Sequence, residues 1–191
     1  MREAQFERKT TETEVNVKIN LDGRGKSTVK TRIKFLDHMI KTLSTHSMMD
    51  IEITAKGDLE HHIVEDVAIA LGEAIKKALG DREGIYRFGS STVPMDCSLA
   101  NVALDLVKRP YSVINLNVEG KSVGDMLTED INHFLNSMAS SLEANIHIQV
   151  QYGENDHHKI EAAFKALALS LREALSRDPK RKGVPSAKGA I

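Results

Sequence analysis

Polar and apolar residues alternate over residues 13–21, with Val15, Val17, Ile19 and Leu21 on one side, which predicts a half-buried strand. Asp22-Gly23-Arg24-Gly25 comes next as a turn, and Asp-Gly is a hairpin signal. Val29, Thr31 and Ile33 resume the alternation as a second strand. From Phe35 to Met48 the period changes, and Leu36, Met39, Ile40 and Leu43 form one helical stripe. Ile51 and Ile53 mark a short strand, broken by Gly57-Asp58, with Asp58 placed to cap the next helix. Between Glu60 and Leu79, Val64, Val67, Ala68, Leu71, Ile75 and Leu79 recur at three and four, predicting a long amphipathic helix. The rest repeats this order with one extra strand: strands over 85–93, 101–106 and 111–118, a loop over 120–125, a helix over 128–142, a strand over 145–152 and a helix over 156–176.

The repetition extends to identities. A shift of 96 residues lays His61-His62 on His157-His158, Glu65 on Glu161, Ala70-Leu71 on Ala166-Leu167 and Ala78-Leu79 on Ala174-Leu175. His38 precedes its pair by 23 residues and His133 precedes its own by 24. The expected fold is therefore α+β, two tandem ββαβα-type units whose sheets are covered on one face by helices. The halves span 1–82 and 83–177, and a basic tail spans 178–191.

Composition narrows the function classes. The 26 Lys and Arg nearly balance 27 Asp and Glu, so no global field favours nucleic acid. Aromatics are 4% and Trp is absent, which argues against a base-stacking platform. No apolar run approaches the ~20 residues of a membrane span, and the first residues lack the apolar stretch of a signal peptide. Cys97 is alone, excludes an internal disulfide framework and is expected as a small buried hydrophobe. A cytoplasmic protein with no membrane or nucleic-acid partner is expected.

Eight histidines remain, and six of them fall in the repeated pattern His … His-His-x-x-Glu. Residues four apart on a helix lie ~40° apart on one face, so His61 and Glu65 can close on one ion, as can His157 and Glu161. His62 and His158 point ~100° away from their neighbours and should serve other ions. Quasi-symmetry predicts two sites with crossed ligands: His61, Glu65, His133 and His158 for one, His157, Glu161, His38 and His62 for the other. Three imidazoles and a carboxylate suit Mn, Zn, Fe or Co better than Mg or Ca. A structural zinc site is usually closed by several Cys, and Cys97 is alone.

Several segments resemble imidazoleglycerol-phosphate dehydratases: Phe-Leu-Asp-His-Met (35–39), Gly-Asp-Leu-Glu-His-His-Ile-Val-Glu-Asp (57–66), Arg-Phe-Gly (87–89), Val-Pro-Met-Asp (93–96), Leu-Asp-Leu-Val-Lys-Arg-Pro-Tyr (104–111), Tyr-Gly-Glu-Asn-Asp-His-His-Lys-Ile-Glu-Ala (152–162) and Pro-Ser-Ala-Lys-Gly (185–189). The resemblance implies a ribosomal-S5-domain-2-like duplicated fold and a hydro-lyase of histidine biosynthesis that converts imidazole glycerol phosphate to imidazole acetol phosphate. It further implies two Mn(2+) per active site, a homo-oligomer of 24 subunits and active sites at subunit interfaces. By motif, its metal ligands fall on His38, His61, His62, Glu65, His133, His157, His158 and Glu161. Glu12 falls on a substrate-contacting position and is the expected proton-transfer group. His46 falls in a substrate-site segment. Arg87, Arg109, Ser186 and Lys188 fall on the phosphate site. The segment before His61 is shorter than in many relatives, and Ala187 stands where Ser or Thr is usual.

The chemistry of that reaction explains a duplicated metal site. The hydrogen to be lost lies beside an alcohol and is barely acidic, so the imidazole ring must supply electrons. Two ions, one near each ring nitrogen, would hold the ring as an imidazolate that expels the neighbouring hydroxyl through a diazafulvene-like intermediate. Two other classes compete. A two-metal phosphate-ester hydrolase would use the same ligands with a bridging hydroxide, though such sites usually include several Asp. A metal-dependent assembly protein would oligomerise on its ions without turnover.

Overall fold

The computed structural model describes residues 2–189; residues 190–191 of the basic tail lie outside the described residues. The first half contains β1 (Glu3–Lys9), β2 (Thr13–Asn20), β3 (Ser27–Lys30), α1 (Lys34–Ser47), β4 (Asp50–Gly57) and α2 (Glu60–Leu79). The second contains β5 (Phe88–Met95), β6 (Ser98–Asp105), β7 (Tyr111–Asn115), the two-residue strands β8 (Ser122–Val123) and β9 (Met126–Leu127), α3 (Thr128–Leu142), β10 (Asn145–Tyr152) and α4 (Asp156–Leu175).

The strand order is β1-β2-β4-β3 in one sheet and β5-β6-β10-β7 in the other. Their inner faces match residue for residue. Val15, Val17 and Ile19 lie opposite Ala55, Ile53 and Ile51, and Ala100, Val102 and Leu104 lie opposite Val150, Ile148 and Ile146. All twelve are buried, while the alternate residues face outward. Each sheet carries two helices on its buried face. Across the molecule α2 packs on α3 and α1 on α4, so the helices form the layer between the two sheets.

The first half is thus βββαβα, with an edge strand that the alternation of apolar residues does not predict. Only Ala4 and Phe6 of β1 are apolar, and both are half-buried; the charged residues that flank them, Glu3, Glu7, Arg8 and Lys9, suit a strand at a sheet edge. The Asp-Gly hairpin does not form either. Asp50 at the start of β4 accepts hydrogen bonds from the amides of Arg24 and Lys26, both at 2.8 Å, and folds the turn onto β4. β4 then inserts between β2 and β3, antiparallel to the first and parallel to the second. The expected 120–125 loop contains a small hairpin with a role: Asp125 accepts from the amides of Lys34 and Phe35, both at 2.8 Å. It caps α1, whose own cap residue Ile33 has no side-chain oxygen to offer.

Two close approaches fix the helix layer. Arg82, 1% exposed, donates to the carbonyls of Leu142 (2.8 Å) and Glu143 (2.9 Å) and satisfies the end of α3. Gly72 of α2 lies so near α3 that a Cβ there would stand 2.8 Å from both the Leu142 amide nitrogen and the Met138 carbonyl oxygen, and against Ser141 Oγ. Gly72→Val should push α2 off α3 and destabilise the fold by about 2 kcal/mol or more, read as a lower urea midpoint with an unchanged slope. A midpoint equal to that of the natural chain would show that the helix pair tolerates the added volume.

Candidate metal centres

Each predicted His-His-x-x-Glu run opens a helix. Asn155 caps α4 by accepting from the His158 amide at 3.2 Å. α2 begins differently: its cap residue is Leu59, and Asp58, expected as the cap, instead accepts from the His62 ring at 2.8 Å and from the Leu59 amide at 2.7 Å. That contact to Asp58 holds the half-buried His62 imidazole above its ordinary pKa.

The helix layer brings these runs against histidines of the opposite half. His61 and Glu65 on α2 meet His133 on α3 in one cluster; His157 and Glu161 on α4 meet His38 on α1 in the other. Within each, one ligand atom per residue lies within 4.8 Å of the others. In the first, the His61 and His133 rings stack at 5.0 Å and His133 Nε2 stands 3.4 Å from Glu65 Oε1. In the second, Glu161 Oε2 stands 3.2 Å from His157 Nε2 and 3.5 Å from His38 Nε2.

The donors fit a transition-metal ion. His133 Nε2 is buried and has no hydrogen-bond partner among the described residues, although it faces a carboxylate. A buried imidazole nitrogen without a partner is costly unless something accepts its lone pair. A divalent cation would do so, and each cluster offers two imidazoles and one carboxylate to hold it.

His62 and His158 join neither cluster. His62 lies 3.7 Å from Glu12 Oε2, and His158 Nε2 lies 3.4 Å from Asp96. Glu12 is exposed on the turn before β2 and so stands beside a candidate ligand. His46 is half-buried on α1; burial pulls its pKa down and the Lys165 charge adds to this, against the opposing Glu161. Arg109 and Lys188 are exposed. Ser186 accepts from the Lys188 amide at 3.2 Å. Arg87 is already engaged: Nε and Nη2 bind Asp105 at 2.6 and 2.8 Å, and Nη1 binds the Pro185 carbonyl at 2.9 Å. Its fork anchors the tail against the second sheet.

Sequence reading missed four neighbours of the clusters. Asp130, 3% exposed, binds His61 Nδ1 at 2.6 Å, and Lys165 Nζ binds Glu161 Oε1 at 2.9 Å. Phe35 meets the His157 ring edge-on at 5.3 Å. All three stand three or four residues from a candidate ligand on the same helix, the spacing that would have flagged them. The fourth is Cys97, which is half-exposed rather than buried because it sits in the turn between β5 and β6. Its sulfur lies 3.5 Å from His158 Nδ1, and the Glu154 amide, helped by Ser98 and His158, holds the thiol down to about 6.

Among the described residues no helix is long and apolar enough to cross a membrane. A sequence model of imidazoleglycerol-phosphate dehydratase matches residues 31–171. The chain is 49% identical to the imidazoleglycerol-phosphate dehydratase of Clostridium botulinum (strain Hall) over 98% of its own length and 97% of the relative's. It is 48% identical to that of Methanothermobacter thermautotrophicus over 100% and 98%. The crystal structure of the Staphylococcus aureus enzyme superposes with a TM-score of 0.83 at 32% identity, covering 91% of this chain and 99% of that one. The Pyrococcus furiosus enzyme, solved in complex with (S)-C348, gives 0.85 at 36% identity, covering 97% and 99%. With the fold, the duplicated clusters and near-complete coverage in agreement, the chain belongs to the imidazoleglycerol-phosphate dehydratase family of hydro-lyases.

Proposed function

We propose that the chain dehydrates imidazole glycerol phosphate to imidazole acetol phosphate with two Mn(2+) per active site. The observation that carries this reading is the pair of His-Glu-His clusters, related by the internal repeat and each built across the two halves. A pair of ions would supply positive charge against both ring nitrogens of the substrate, favouring loss of the ring proton so that the ring can supply the electrons that expel the neighbouring hydroxyl.

The chain's own residues divide the remaining work. His61, Glu65 and His133 hold one ion, and His38, His157 and Glu161 hold the other. His62 and His158 lie outside both clusters, which supports their completing sites on neighbouring subunits. We read the assembly as a cytoplasmic homo-oligomer of 24 subunits with active sites at the contacts, each subunit made of halves 1–82 and 83–177 and a tail 178–191. Glu12, beside His62 and open to solvent, is placed to move the proton at the glycerol carbon. His46 lies two turns beyond His38 on α1 and borders the same substrate site. Arg109, Ser186 and Lys188 supply cation and hydroxyl contacts to phosphate. Arg87 serves that site by holding the tail through Pro185; direct phosphate contact would require it to release Pro185 or Asp105.

Chelation should abolish turnover of imidazole glycerol phosphate in a steady-state assay, and Mn(2+) should restore it. Activity that survives complete removal of transition metal would sink the metal reading, and release of inorganic phosphate in place of the ketone would favour the hydrolase. Glu12→Gln should lower kcat by ~10² or more with Mn(2+) content unchanged by elemental analysis; an unaltered kcat removes Glu12 from proton transfer. Deleting residues 184–191 should raise KM about tenfold, the loss of one charge-assisted contact of about 1.5 kcal/mol. If kcat and KM both hold, the tail has no part in phosphate binding.

A further inference from the structure

The repeat that builds two clusters from like elements does not give them like surroundings. Laying His38 on His133 sets Phe35 against Asp130, and laying Glu65 on Glu161 sets Ile69 against Lys165. The first cluster gains a negative charge at one of these positions; the second gains a positive charge at the other.

The consequences are chemical. The Asp130 carboxylate, 2.6 Å from His61 Nδ1 and 3% exposed, fixes the proton on Nδ1. That leaves Nε2 as the donor nitrogen, orients the ring and raises its basicity toward a metal. Among the described residues His157 has no such partner; Phe35 holds its ring by an edge contact at 5.3 Å and contributes no charge. On the carboxylate side, the Lys165 ammonium occupies Glu161 Oε1 at 2.9 Å, leaving Oε2 to face the two histidines. Lys165 is buried enough, with a side chain 20% exposed, for its charge to repel an arriving cation. Other carboxylates nearby do not reverse the contrast: Asp58 beside His62 and Asp96 beside His158 are more than half exposed and screened by solvent.

We infer that the two metal positions are unequal: the cluster of His61, Glu65 and His133 fills first and holds its ion more tightly than the cluster of His38, His157 and Glu161, with Asp130 and Lys165 setting the order. This rests on the metal reading above. Asp130 and Lys165 are positioning residues; neither is assigned to the substrate.

The experiment is a Mn(2+) titration of the full chain stripped by chelator, with free ion read from its electron paramagnetic resonance signal. Two classes of one ion per subunit are expected, separated ~10-fold or more. Asp130→Asn should weaken the tight class ~10–100-fold and leave the weak class in place. Lys165→Met should tighten the weak class, a gain that misfolding cannot produce. Two ions of equal affinity in the natural chain, or variants that shift both classes together, would overturn the ordering while leaving the metal reading intact. A titration that finds no bound ion would overturn both.

Discussion

The packing of α2 on α3 and of α1 on α4 is the constraint that creates the site. A helix that starts His-His-x-x-Glu can present only two converging ligands, His and Glu four residues on. The third must come from another element, and in both clusters it comes from a helix of the opposite half. The glycine at position 72 permits the closest of these contacts, and buried Arg82 ties the join between halves to the end of α3. The energy that holds the sheets around a common layer of helices is largely the burial of branched aliphatic side chains from both halves. The same burial sets the spacing of the ligands.

Much of this was legible because the chain is written twice. Strict alternation at Val15, Val17 and Ile19 and at Ile146, Ile148 and Val150 predicted the central strands, and three-four spacing predicted α1 and α2 within a residue. What failed was local or unpaired. β1 has two apolar residues in seven, too few to register as a strand until β2 is there to bond with it. The Asp22-Gly23 signal is a statement about four residues, and it lost to the better match of β2 with β4. Asp130 escaped notice because one acidic residue in a helix is usually solvated; only its burial beside His61 distinguishes it.

Duplication is commonly taken to produce equivalent sites. Here the ligands repeat while the residues one turn away do not, and a metal ion responds to both. An imidazole backed by a buried carboxylate and an imidazole backed by a phenyl ring are different donors at the same bond length. The carboxylate ligands diverge as well, since Glu161 already shares an oxygen with an ammonium group. The halves have kept their geometry and drifted in their electrostatics, an outcome open to any protein built from two copies of one unit.

Asp125 carries a consequence for how the chain acquires its structure. The first helix of the amino-terminal half receives its cap from a hairpin more than ninety residues later, since Ile33 cannot provide one. An amino-terminal half synthesised alone would hold α1 with two unsatisfied amides at its opening turn. The halves are therefore copies of one unit that no longer stand alone: the opening turn of one is completed only by the other.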